Sequence, residues 1–289
     1  MILVTGATGQ LGGAVIDFLL KKVQPGEIAA LARNPEKAKP IADQGVDVRV
    51  GNYDDPASLE RAFAGIHRLL FISSSEIGIR DTQHANVVTA ARKTGVGHIL
   101  YTSFTRTTDE ESSPLHMLAA THILTEKLIK ESGLTYTFLR NSLYSDALPL
   151  FLGDKVVETG TVYFPGGEGK SPFASRMDMA EATANVLTSD GHENQAYPFT
   201  NSDAYSFGDI AGMLSEITGK TINYVSPSPD EYKEQMSKVG VPEPVIGLAI
   251  GLGLAMQQGI TGGGDPTLGK LLGRPPASPK AVLQTVYGK

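Results

Sequence analysis

Met1-Ile2-Leu3-Val4-Thr5-Gly6-Ala7-Thr8-Gly9-Gln10-Leu11-Gly12 opens the chain: an apolar strand running straight into Gly-x-x-Gly-x-x-Gly and then a helix. Glycine is required where a backbone turns sharply and must approach a pyrophosphate closely, and the helix start behind it offers N–H groups to the anion. A glycine triplet alone says little. This one follows a strand, opens an amphipathic helix over 11–22 and begins a repeating strand–helix pattern, which is the setting the motif needs. Gly6, Thr8, Gly9, Gln10 and Leu11 are therefore candidate contacts to a dinucleotide.

Working outward, apolar runs near 28–32, 46–50, 69–72, 99–102 and 135–139 alternate with segments of helical periodicity. Strands separated by helices imply right-handed crossovers and a parallel sheet covered on both faces. The expected fold class is α/β, a doubly wound Rossmann sheet with a smaller, mainly helical C-terminal lobe. Beyond Tyr144 the alternation loosens. We expect the sheet domain over 1–144 and the lobe over 145–289, with a helix and strand near 177–200 returning to the sheet.

Composition narrows the partners. The 289 residues carry a net charge of −6 and 41% hydrophobic residues, which argues against nucleic acid or an anionic membrane surface as the main partner. With no cysteine there is no disulfide, thiol nucleophile or thiolate metal site, and the expected compartment is the cytoplasm. The apolar stretch Val245 to Met256 is shorter than the roughly 20 residues a bilayer requires.

The second strand decides the nucleotide. NAD-specific folds end it in an acid that accepts from the ribose hydroxyls, whereas here Ala32 is followed by Arg33-Asn34-Pro35. A guanidinium grips a 2′-phosphate in two-point fashion, so Arg33 favours NADPH over NADH. Asp54 and Asp55 follow the third strand and read equally as adenine contacts or a helix N-cap. Ser73, Ser74 and Ser75 end the fourth strand at the edge where such folds bind ligands, with hydroxyls and amides expected to face the cofactor.

Reductases of this general fold use Tyr-x-x-x-Lys, the tyrosine giving a proton and the lysine lowering its pKa. The corresponding stretch here is His122-Ile123-Leu124-Thr125-Glu126-Lys127. Histidine stands for tyrosine, glutamate for lysine, and Lys127 is displaced by one residue, about 100° around a helix. The dyad is missing. Taken with Arg33-Asn34-Pro35, Leu70-Phe71-Ile72-Ser73-Ser74 and Thr137-Phe138-Leu139-Arg140-Asn141, this pattern resembles the NmrA-like atypical short-chain dehydrogenases.

That resemblance implies an NADPH-binding Rossmann domain and a cleft for a planar acceptor, a quinone or a triarylmethane dye. By motif position Leu139, Arg140 and Asn141 then lie beside the nicotinamide, with Asn141 and Tyr144 holding the acceptor. His122 and Lys127 are the candidates for relaying a proton. A non-catalytic sensor of the bound dinucleotide is the rival implied by the same family. Monomer and homodimer stay open. His116 and His122 stand six apart with no carboxylate in a metal pattern, so no metal is expected, and Asn86, near His84 on the fourth helix, reads as exposed.

Overall fold

A strand covered on both faces must be apolar throughout, and β1 (Ile2–Val4) and β2 (Ile28–Ala32) are buried at every position. Helix α1 (Gln10–Leu19) joins them. The alternation continues through α2 (Pro35–Ala42), β3 (Asp47–Val50), α3 (Pro56–Phe63), β4 (Arg68–Phe71), α4 (Arg80–Lys93), β5 (His98–Phe104), α5 (His116–Ser132) and β6 (Thr135–Asn141). Then follow α6 (Leu148–Leu152), α7 (Val156–Thr159), β7 (Thr161–Tyr163), α8 (Arg176–Leu187) and β8 (Gln195–Phe199). The chain ends with α9 (Phe207–Thr218), β9 (Asn223–Val225), α10 (Pro229–Lys238), α11 (Glu243–Gln257), α12 (Thr267–Leu272) and α13 (Pro279–Tyr287). The structure, a computed structural model, describes residues 1–76, 78–153 and 155–288.

Seven strands form one sheet in the order β3-β2-β1-β4-β5-β6-β8. Neighbours from β3 through β6 pair in parallel. The order reverses between β1 and β4, and a doubly wound sheet takes its ligand outside the carboxyl ends of the strands at that point. The glycine loop after β1 and the serines after β4 meet there. Edge position explains why β3, unlike its neighbours, is exposed or half-buried along its length.

Two units divide the chain. The first holds Met1–Phe104, Ala120–Asn141 and Arg176–Pro198; the second holds Thr105–Ala119, Ser142–Ser175 and Phe199–Lys289. In the first, Leu3, Phe63, Phe71, Val87, Tyr101 and Phe138 form one core, and α1 packs on α8. The second contains the parallel pair β7–β9 and helices α9 to α13. Segment 105–119, which sequence order groups with the sheet, belongs to the second unit: Thr107 N–H donates to the Ile260 carbonyl at 3.1 Å. Glycines in α11 serve close backbone approach there, since a Cβ on Gly253 would meet the Pro165 carbonyl at 2.2 Å.

Two strands run further than their apolar cores suggest. β5 carries on to Phe104 and β6 to Asn141, which places Ser103, Arg140 and Asn141 on strand ends rather than in loops. Their side chains therefore alternate between sheet faces.

Candidate functional site

The glycine loop is a cradle that side chains would fill. Gly6 has a left-handed φ of +59°, and a Cβ on Gly12 would lie 2.3 Å from the Gly6 carbonyl oxygen. Gly9 is less strict, its Cβ lying 3.2 Å from the same atom. As N-cap of α1, Gly9 brings no side-chain acceptor, so the first-turn N–H groups of Gln10, Leu11 and Gly12 are the ones a helix leaves for an anion. Beneath the loop, Thr5 Oγ1 accepts from Ile72 N–H at 2.9 Å, and the Tyr53 hydroxyl lies 2.5 Å from Thr5 Oγ1 and 2.8 Å from the Ile72 carbonyl. All three bonds are satisfied if Thr5 donates to Tyr53 and Tyr53 donates to Ile72. This closed ring locks the ends of β1 and β4 together, and burial pushes the Tyr53 phenol well above its ordinary value.

A cavity of about 320 Å³ opens beside the loop. It is lined by Gly6, Thr8, Gly9, Arg33, Tyr53, Ser73, Ser74, Ser75 and Glu76, among others. Arg33 stands on its rim, and its Nη1 lies 2.5 Å from Glu76 Oε1. Gln83 Nε2 donates to Glu76 Oε2 at 2.9 Å and faces both Asp54 oxygens at 3.2 Å, while Ser74 Oγ donates to Gln83 Oε1 at 2.5 Å. Hydrogen bonds from Gln83 and then Arg33 hold the Glu76 carboxyl below the usual carboxylate range. Asp55 caps α3 by accepting from Ser58 N–H at 3.2 Å, so of the two aspartates only Asp54 joins the rim network. The glycine cradle, the cavity and the guanidinium together fit a dinucleotide with a 2′-phosphate.

The amides of Ser73 and Ser74 point the other way from expectation. Ser73 N–H donates to Thr102 Oγ1 at 2.9 Å and Ser74 N–H to His84 Nε2 at 3.1 Å, both into the protein. Accepting at Nε2 fixes the proton of the buried His84 on Nδ1, which faces Thr125 Oγ1 at 2.7 Å. Thr125 in turn donates to the Thr121 carbonyl at 2.6 Å. Burial, with the Arg80 charge second, pushes the His84 imidazole down to about 3. Asn86, read as exposed, is half-buried and donates to the Tyr53 carbonyl at 2.9 Å.

His122 is buried on α5, and both ring nitrogens are engaged within the first unit. Arg80 Nη2 lies 2.7 Å from Nε2, and the Tyr101 hydroxyl lies 2.9 Å from Nδ1. Because arginine only donates, Nε2 accepts and the ring proton sits on Nδ1, toward Tyr101. Lys127 goes elsewhere: it is 68% exposed, with its ammonium 3.9 Å from Glu131. The two relay candidates are not brought together.

Glu126, which the sequence sets against the lysine of the missing dyad, is buried. Arg140 meets it as a fork, Nε to Oε1 at 3.1 Å and Nη2 to Oε2 at 2.7 Å, and Ser103 Oγ donates to Oε1 at 2.5 Å. Arg140 is therefore committed to a carboxylate, whereas its neighbours Leu139 and Asn141 lie on the opposite face of β6, both buried. Gln10, Leu11, Leu139, Arg140 and Asn141 do not line the cavity. Tyr144 lies in the second unit, half-buried, its backbone bridged to Ala174. Sequence reasoning missed Tyr53, Glu76, Gln83 and Ser103. Among the described residues no cluster of His, Cys, Asp or Glu is placed to hold a metal, and no helix is long and apolar enough to cross a membrane.

The NmrA-like family matches residues 1–251. The chain belongs to the NmrA-like family. Among its relatives, Quinone oxidoreductase 2 of Escherichia coli (strain K12) is 39% identical over 95% of this chain and 94% of its own length. The crystal structure of the E. coli NADPH-dependent quinone oxidoreductase in complex with NADPH superposes with a TM-score of 0.91 at 37% identity, covering all of both chains. Citrobacter sp. triphenylmethane reductase complexed with NADP(H) gives 0.91 at 40% identity over 99% of each chain. In this NmrA-like chain, His84, His122, Glu126 and Arg140 are each held by neighbours within the first unit.

Proposed function

We propose that the protein is an NADPH-dependent oxidoreductase that passes hydride to a quinone or a similar planar acceptor. The observation that carries this is the state of the tyrosine and lysine positions. His122 holds its one ring proton toward Tyr101, and Glu126 is neutralised by Arg140, so neither supplies an acid or a cation to a developing alkoxide. Simple ketone reduction is poorly served by such a site. When bound, NADPH supplies the hydride.

The protein's own task is then binding and orientation. Arg33 grips the 2′-phosphate, and the glycine cradle with the first turn of α1 receives the pyrophosphate. Asn141 donates from its amide to an acceptor carbonyl. A reduced quinone spreads its negative charge over the ring and takes its proton from solvent. The quinone and dye reductases among the relatives support the same acceptor class.

The test is NADPH oxidation by the purified protein, followed by absorbance, with benzoquinones, naphthoquinones and a triarylmethane dye. Acceptor-dependent loss of NADPH is the expected result. Tight NADPH binding with no turnover on any acceptor would replace this reading with that of a dinucleotide sensor.

A further inference from the structure

Arg33 does not stand alone on the rim. Its guanidinium faces Glu76, and Glu76 is itself held in place: its carboxylate accepts from Gln83, and its backbone N–H donates to Ser74 Oγ at 3.2 Å. Gln83 is buried and fixed in turn by Asp54 and Ser74. The partner of Arg33 is therefore a carboxylate aimed by a network, not a mobile surface acid. Asp54 adds a second negative charge across the same amide.

A 2′-phosphate carries nearly two negative charges and asks for the same guanidinium. Either Glu76 gives up its hold on Arg33 or two anions share one cation a few ångströms apart, and both alternatives cost affinity. NADH, with a ribose hydroxyl at that point, meets no such conflict, and a carboxylate can accept from that hydroxyl. We propose that Glu76 competes with the cofactor 2′-phosphate for Arg33 and so sets how strongly this protein prefers NADPH over NADH. The inference rests on the reading of Arg33 as the phosphate grip.

The experiment is calorimetric titration of NADPH, NADH and 2′,5′-ADP onto wild type, Glu76→Gln, Arg33→Ala and the double variant at low salt. Glutamine keeps an acceptor for Gln83 and removes only the charge. Glu76→Gln should tighten NADPH and 2′,5′-ADP by about three- to tenfold, the range expected when a largely exposed ion pair no longer holds the guanidinium. NADH should stay within about twofold, which also serves as the control for an intact pocket. High salt should shrink the difference, and on the Arg33→Ala background the substitution should have about twofold effect or less.

Unchanged or weaker NADPH binding in Glu76→Gln overturns the inference, as does an equal gain for NADH or a gain that persists without Arg33. Should Arg33→Ala weaken NADPH no more than NADH, the phosphate-grip reading falls and this inference with it. Selective loss in Arg33→Ala beside an unmoved Glu76→Gln sinks the inference alone.

Discussion

Glu126 and Arg140 face each other as a two-point ion pair, with Nη2 to Oε2 at 2.7 Å, joining α5 to β6. Their burial is unequal: the glutamate side chain is 5% exposed and the arginine 32%. Removing one partner of such a pair costs most when the charge left behind cannot reach water. Arg140→Ala should therefore lower folding stability by about 3 kcal/mol, and Glu126→Ala by roughly half of that. Denaturant melts of both variants decide it. A larger loss in Glu126→Ala would mean that the guanidinium, not the carboxylate, is the trapped charge.

Gly12 is the strict member of the glycine loop. A methyl there would sit 2.3 Å from the Gly6 carbonyl oxygen, whereas one on Gly13 would meet only the Ala7 oxygen at 3.6 Å. Gly12→Ala should abolish dinucleotide binding and lower the melting temperature. Gly13→Ala should leave binding intact and gain up to about 1 kcal/mol from helix propensity. The pair of substitutions, read by thermal melts and NADPH titration, separates loop geometry from a general dislike of side chains.

His84 makes stability depend on pH. Its imidazole lies at about 3 in the folded protein against an ordinary 6.5, because burial first and the Arg80 charge second oppose protonation. Between those values the unfolded chain binds a proton that the folded protein does not, so stability falls as pH drops through the window. The slope attributable to this residue is up to about 1.4 kcal/mol per pH unit, and it vanishes above the ordinary imidazole value. His98 and His192 are shifted the same way by burial and remain in a His84→Gln variant, so the difference between the two proteins isolates His84. Parallel stability curves for wild type and His84→Gln between those pH values would show that this imidazole is not the source.

Asn141→Ala tests the acceptor. Losing one well-placed amide donor should cut turnover on a benzoquinone by about tenfold and leave the NADPH dissociation constant within about twofold. Stopped-flow hydride transfer and equilibrium titration read the two separately. Full activity in this variant would move the acceptor away from the end of β6.

The reading of Arg33 came from its place one residue beyond a strand, and it stands on the cavity rim as that place requires. Ser73 and Ser74 show the limit of such reasoning. Their position after β4 is correct, but their amides turn inward to Thr102 and His84, partners that no local pattern names. The engagement of His122 with Arg80 and Tyr101 is invisible to local pattern, as is the exposure of Lys127.

By itself the sequence determined the strand–loop–helix opening, the alternation that makes a parallel doubly wound sheet, the absence of the tyrosine–lysine dyad and the cation at the end of the second strand. Each of these is local: apolar period, turn chemistry and residue identity act over a few positions and need no partner. Only the tertiary structure decided that Glu76 meets Arg33 across 43 residues, that Arg140 silences Glu126 across 14, and that a side chain at Gly12, more than one at Gly9, would strike the Gly6 carbonyl. Those contacts arise from strand order and crossover packing, which bring together side chains whose sequence neighbours carry no trace of the meeting.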